Sequence, residues 1–411
     1  MLKAKKHKII SFILIIGVLL STNFLFDNNR ATAAWYSTGG VWTERKQIGV
    51  DYSKVQSALT NFPMLFSVTD PDLRSTGNGG NVGQTDGGDI LFTDGSGDTK
   101  LSHEIEKYDA TTGELIAWVK VPYLSSTSTT HLYIYYGDDD VADQEDTPDG
   151  SNDVWDSNYT GVWHLPDGTS LATGNSVSGG ASITNSGAAA IAGNIDGGAD
   201  YDGSGDHSYV STSALTTLTI SGWVKLDALP SANGAILFGM ANSNSGTGVS
   251  EWSGVLGIRN SGQAVNYFYN GSAVNILSST VLSTGRWYYL TATIQQSFTA
   301  RIYVNGVEEA SNSVGTPFSS WSGGPYFTTS PTTVNFGSNG FESRLNGQVD
   351  ELRVSNVIRS ADWIRTEYNN QNSPSTFYSY GANQVEVRTD SAVSNVQSQG
   401  GTKVRGGVKF R

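Results

Sequence analysis

The 411-residue chain has no cysteine, few histidines and few charged residues. Without cysteine it can form neither a disulfide framework nor a thiolate metal site, so a chain of this length must fold on its cores alone. A lipid anchor joined through an N-terminal cysteine is excluded for the same reason. There are only five histidines, one of them His7 near the start, and they give a Ser-His-Asp arrangement no support. Beyond Phe26 no apolar run is long enough to cross a bilayer. Helix-forming stretches rich in Ala, Lys and Glu are scarce. Glycine is abundant, at 48 residues, and short alternating runs separated by turn residues dominate. That pattern is the profile of an all-β sandwich protein.

Lys3, Lys5, Lys6 and Lys8 precede the apolar run Ile9 to Leu20, and Ala31-Thr32-Ala33 follows. A basic start, a short apolar run and a small-residue site describe a secretory signal peptide over residues 1–33. The alternative is an uncleaved anchor, since apolar residues continue to Phe26, although Ile9–Leu20 is short for a bilayer span. Both readings export the rest, to the medium or the cell surface, with no membrane insertion after cleavage. Removing residues 1–33 leaves 20 basic against 37 acidic residues, a balance of −17. An acidic surface repels phosphate backbones and anionic membranes, so no nucleic-acid partner is expected.

Two modules are legible. Residues 34–137 carry strand-like runs such as FPMLFSVT, GDILFTD and ELIAWVKVP, separated by the turn chemistry of DGSGD and ATTGE. Residues 138–158 read as a solvated acidic linker. It fails as a calcium loop, because Ala142 breaks the alternation of oxygen-bearing side chains that Asp138 and Asp140 begin. Residues 159–383 hold a second series of strands, with Asn-Gly hairpin signals at Asn270 and Asn305. One helix is predicted, over Ser360–Gln371, with a serine cap, an early aspartate and Trp363, Ile364 and Tyr368 on one side. Residues 384–411 form a polar tail ending in GGTKVR and GGVKFR, expected to be disordered. The fold class is therefore all-β, with two β-sandwich (jelly-roll) domains after a signal peptide.

Leu218–Lys225 (LTISGWVK), Arg286–Glu309 and Leu345–Asn356 together resemble a laminin-G-like, concanavalin A-like jelly roll. Tyr201–Val210 (YDGSGDHSYV) resembles an early strand of that superfamily, and Val357–Gly381 is similar to its closing segment. GGDILFTDGSG, LSHEIEKYD, AWVKVPYL and YIYYG in the first module are similar to a domain family of unknown function, number 2341, which carries no activity with it.

In Asn346–Asn356 (NGQVDELRVSN) successive side chains of a strand point to opposite faces. Asp350, Leu352 and Val354 then share one face, expected to meet the core, while Glu351 and Arg353 share the solvated one. A buried carboxylate must be paired, hydrogen-bonded or metal-bound. The resemblance implies a structural Ca2+ held by Asp350, with Asp202 and Asp206 of the glycine-rich turn as companions. The other reading, in which Asp350 caps backbone N–H groups or pairs with an arginine, stays open.

Catalytic carboxylates spaced as Glu-x-Asp-x-Glu, the pattern of laminarinase-type relatives, are missing from the second module. In the first module Glu104 and Glu106 of His103-Glu-Ile-Glu share a face. No second histidine or nucleophile accompanies them, and a solvated or ion-paired face is expected. No catalytic residue is assigned. Trp223 and Trp287 are expected in the core, whereas Trp252, Trp321 and Tyr326 sit in Gly/Ser-rich stretches read as loops. Flat rings there suit sugar faces, and the alternative is that they latch the loops to the sandwich.

These residues describe an exported, non-enzymatic protein that binds glycans or neighbouring cell-surface proteins. A structural surface component that binds no sugar is one alternative. A glycoside hydrolase with carboxylates from distant strands is the other. The mature chain is expected to begin at Ala34 or Trp35, and N-terminal sequencing that still finds Met1 or Leu2 in exported material would identify an anchor instead.

Overall fold

The computed structural model describes residues 34–145, 150–166, 169–210, 215, 217–231, 233–241, 252–269, 273–295, 299–313, 325–327 and 344–386. The expected signal peptide, Trp321 and nearly all of the tail lie outside the described residues.

The first strands in chain order are β1 (Glu44–Val50), β2 (Leu59–Thr69), β3 (Leu91–Asp94), β4 (Lys100–Leu101), β5 (His103–Asp109), β6 (Glu114–Leu124) and β7 (Thr130–Tyr136). Next come β8 (Tyr159–Trp163), β9 (Thr184–Ser186), β10 (Ala189–Ala192), β11 (Gly197–Asp202), β12 (His207–Tyr209), β13 (Thr217–Leu226) and β14 (Ala235–Ala241). They are followed by β15 (Trp252–Ile258), β16 (Gln263–Tyr269), β17 (Ala273–Val281), β18 (Trp287–Gln295) and β19 (Thr299–Val304). The series closes with β20 (Val307–Ser313), β21 (Pro325–Phe327), β22 (Asn346–Ser355), the helix α1 (Ala361–Asn372) and β23 (Tyr378–Val385).

The protein is all-β, as its sequence implies, and its strands form two sandwiches. The first packs a sheet ordered β23-β1-β7-β3-β4 against one ordered β2-β6-β5. Pro63 lies in β2, an edge strand, where a missing N–H is tolerated. The second sandwich packs β10-β11-β22-β13-β18-β19-β20, with β8 also on β22, against β17-β16-β15-β14-β21-β12-β9. Ile220, Val224, Phe238, Leu256, Phe268, Leu290, Ile302 and Val354 fill the space between these two sheets. β13 is buried almost along its whole length because its other face is covered too, where Tyr368 and Gln371 of α1 lie against Trp223.

The chain crosses between the sandwiches more than the sequence suggests. Residues 159–383 read as one jelly roll, yet β23 pairs with β1 and becomes the outer strand of the first sandwich. Phe377 and Tyr378 are buried in the first core, where the Tyr378 ring stacks on Phe66 at 5.3 Å. The Tyr378 hydroxyl accepts from the Ser67 N–H (2.8 Å) and donates to the Ser67 carbonyl (3.0 Å). Ser360 caps α1 by accepting from the Trp363 N–H at 3.1 Å. Near the other end of the helix, Asn370 brackets the backbone of Leu65 at 2.7 and 3.0 Å while Gln371 accepts from the Trp223 indole at 2.7 Å. Adjacent residues of one helix thus tie to opposite sandwiches.

The expected solvated linker is also packed. Val154 and Trp155 are buried in the first core, and Glu145 accepts from the Ile105 N–H at 2.7 Å, satisfying the edge of β5. Two apolar side chains near the end of an acidic run outweigh its charge, because the acidic groups can stay at the surface while Trp155 turns inward.

Phe377 is fully buried, so Phe377→Ala is expected to destabilise the protein by about 3–5 kcal/mol. Urea unfolding measures this, and an unchanged midpoint would mean that the returning strand adds nothing to the first core.

Candidate functional site

The phase of β22 changes within the strand. Arg353 lies opposite Ser221 and Asp350 opposite Trp223, so Glu351 and Leu352 together face the single residue Gly222. This is a β-bulge, and Glu351 within it adopts a left-handed backbone, φ +53°. A Cβ on Gly222 would come within 2.7 Å of Leu352 Cδ2, so the glycine makes room for the bulge. Val349, Leu352 and Val354 consequently enter the second core. Asp350 does not share their face, because the extra residue separates it from Leu352 and turns it toward the first sandwich.

A second bulge lies on β5. Ile105 pairs with Ala117 and Lys107 with Ile116, leaving Glu106 as the extra residue. His164 follows β8 directly and precedes Leu165, another residue with positive φ (+59°). These three irregular points bring their side chains together in the buried seam between the sandwiches.

His164 is the centre. Its Nδ1 lies 2.7 Å from Glu351 Oε1 and 3.6 Å from Glu106 Oε2, and its Nε2 lies 3.5 Å from Glu104 Oε2. Its ring stacks on Trp118 (5.4 Å, 20°) with Trp155 at 5.6 Å. Trp118 Nε1 donates to Glu106 Oε2 and Trp155 Nε1 to Glu104 Oε2, both at 2.8 Å, while Ser176 Oγ donates to Glu104 Oε1 at 2.5 Å. Arg353 is buried over Trp118, 4.2 Å from the ring centre, and bonds Glu351 and Glu367 at 2.7 Å each. Lys107 adds a tie across the seam to Asp196 at 2.7 Å.

Of the two readings for the face of Glu104 and Glu106, solvated or ion-paired, the structure gives the ion-paired one: the second sandwich covers β5 and sets His164 against both carboxyl groups. Burial alone would push the His164 imidazole down, but Glu351, Glu106 and Glu104 more than reverse this and hold it well above the usual histidine range. Burial, reinforced by Glu351 and Asp350, pushes Glu106 well up, against the pull of His164 and the Trp118 N–H. Burial acts the same way on Glu104, but His164 and the hydrogen bonds from Ser176 and Trp155 bring it below the ordinary glutamate value. The two glutamates, two positions apart on β5, are thus shifted in opposite directions by their surroundings.

Both glutamates line a cavity of about 360 Å3 together with His164, Asn152, Pro166 and Ser176. Glu106 Oε1 and His164 Nε2 are buried without a hydrogen-bond partner. The cluster offers acceptors, donors and an imidazole at one opening.

The residues singled out from sequence are placed elsewhere. Asp350 is buried, and its Oδ2 accepts from the N–H groups of Asn194 (2.8 Å) and Ile195 (3.0 Å). Asp202 pairs with Asn346, four positions from Asp350 and roughly 13 Å along the strand. Its side chain accepts from Ser204, and Asp206 accepts from the Asp202 N–H, so these two order their own turn and are not brought to Asp350. Trp252 opens β15 opposite Ala241 and Tyr326 lies in β21 opposite Gly239, both in strands rather than loops.

Residues 202–365 match the concanavalin A-like lectin/glucanases superfamily. Residues 86–159 match DUF2341, a domain of unknown function. The two matches follow the order expected from the sequence. No curated protein matches the chain. Among solved structures, one similar chain is domain 4 of an extracellular GH43 arabinanase from Geobacillus stearothermophilus in complex with arabinotriose. Identity is 18%, with 52% of this chain and 98% of that chain covered and a TM-score of 0.37. The binding domain of Paraclostridial mosquitocidal protein 1 is similar at 13% identity, over 51% of this chain and 52% of that one, with a TM-score of 0.40. Trypanosoma rangeli sialidase in complex with sialic acid is similar at 11% identity, over 67% and 46%, with a TM-score of 0.41. The chain spans about half the length of the toxin domain and less of the sialidase. These likenesses are too distant to carry a ligand across.

Arg353→Leu would leave Glu351 and Glu367 buried without their cation, which is expected to destabilise the protein by about 3–5 kcal/mol. Calorimetry of the variant tests this, and a melting temperature equal to the parent's would mean that the seam is wet and its charges screened.

Proposed function

We propose that the protein is an exported, non-enzymatic binding protein that takes a glycan in the cavity between its sandwiches. The cavity carries this reading. Glu104 and Glu106 supply carboxyl oxygens, and Asn152 and Ser176 add donors and acceptors. Sugar hydroxyls donate and accept at once, and a pocket of mixed polarity on a rigid frame matches them. The concanavalin A-like match over 202–365 supports a binding role, and the basic, apolar N-terminal segment supports export. Among the described residues no helix is long and apolar enough to cross a membrane.

A glycan array probed with the full exported chain tests the reading. Ala172 lines the cavity, and Ala172→Trp is expected to fill it and weaken glycan binding at least roughly tenfold, the scale of about 1.4 kcal/mol in binding energy. Loss of binding in Trp252→Ala/Trp321→Ala, with Ala172→Trp unaffected, would move the site to those aromatics. Release of new reducing ends from a bound glycan would identify a hydrolase. An array without signal would leave a structural role.

A further inference from the structure

We propose that Glu106, His164 and Glu351 form a binding site for a divalent transition-metal ion of the Zn2+ type at the seam between the sandwiches. One ligand atom from each residue lies within 4.8 Å of the others. His164 Nδ1 is 2.7 Å from Glu351 Oε1 and 3.6 Å from Glu106 Oε2. Tetrahedral ligands on bonds of about 2.0–2.1 Å stand roughly 3.3–3.4 Å apart, so these separations bracket the required spacing.

Two further observations point to a ligand rather than to a closed ion pair. Glu106 is 1% exposed at its side chain, and its Oε1 has no hydrogen-bond partner. The cavity reaches Glu106 and His164, which gives an ion a way in and leaves room for water in the remaining coordination position.

An outer shell is already present. Trp118 Nε1 holds Glu106 Oε2, and Arg353 holds Glu351 Oε2. With Nδ1 on the metal, Nε2–H faces Glu104 Oε2 at 3.5 Å, the carboxylate partner that metal-bound imidazoles require on their other nitrogen. On binding, the ion takes the place of the proton on Nδ1, and the protons held at these ligands leave to bulk water. The imidazole ligand selects Zn2+ and its transition-metal neighbours over Ca2+ and Mg2+, which favour all-oxygen shells.

The inference is independent of what the cavity binds besides the metal. Zinc chloride titrated into the metal-free full chain, followed by calorimetry and chelator competition, is expected to show one saturable site. Cobalt chloride in its place is expected to give visible absorption bands from a low-symmetry site. Glu106→Gln and Glu351→Gln keep the side-chain shape and are expected to abolish both signals. Glu104→Gln, which alters only the outer shell, should weaken affinity roughly ten- to hundredfold. Circular dichroism of each variant without metal confirms folding. The proposal is overturned if folded parent protein shows no saturable Zn2+ binding, if Glu106→Gln and Glu351→Gln bind as the parent does, or if Ca2+ binds there in preference.

Discussion

The buried Arg353 guanidinium, held between Glu351 and Glu367 and laid over Trp118, is the constraint on which the relation of the two sandwiches depends. Trp118 comes from the first sandwich, Glu351 from the second and Glu367 from α1, so one cation touches all three parts. A guanidinium taken out of water loses several kcal/mol of hydration, which the bonds from its Nη1 to Glu367 and Nη2 to Glu351 offset, so sliding the sandwiches would strand charge. The network therefore acts chiefly on register. It fixes which part of β5 meets which part of β22, and thereby sets His164 against three carboxylates.

The same constraint makes the protein one body rather than two domains on a tether. β23 completes the first sandwich from the far end of the chain, α1 ties to both sandwiches, and Lys107 reaches across to Asp196. The seam holds a pre-shaped cavity, so a ligand entering it need not first close a hinge, and the ordering cost of binding falls accordingly.

Much of this fold was legible in the sequence. The strand runs stand out because β-branched and aromatic residues alternate between turns, and the helix stands out because Ser360 and Asp362 mark its start. The candidate site was less legible, for physical reasons that concern particular residues. A bulge shifts a strand's phase by one residue, and NGQVDELRVSN contains no glycine beside Glu351 to announce it. The residue that makes the bulge possible, Gly222, is 129 positions away on β13. Glu104 and Glu106 were recognised as sharing a face, but what covers that face is set by pairings of long sequence separation. His164 drew no notice, since one histidine after VW resembles any strand end. The return of β23 to β1 is another pairing that alternation cannot encode. A usable signal was the gathering of tryptophans, Trp118 and Trp155, near acidic residues, because buried indoles seek acceptors.

The seam also bears on function by what it does not use. Among the described residues, four carboxyl groups (Glu104, Glu106, Glu351 and Glu367) share two cations at the seam, Arg353 and His164, and Asp350 is buried beside them on backbone N–H groups. Well-packed apolar residues of similar volume would hold two sandwiches together as firmly or more so. The chain instead keeps two bulges and a glutamate in a left-handed backbone, each a local strain that the surrounding structure must over-determine. The β5 bulge, with Glu104, Glu106 and His164, lies on the wall of the cavity of about 360 Å3. An arrangement that works against stability at several points, beside a cavity that reaches Glu104, Glu106 and His164, supports the binding proposed for that cavity over a purely adhesive role for the seam.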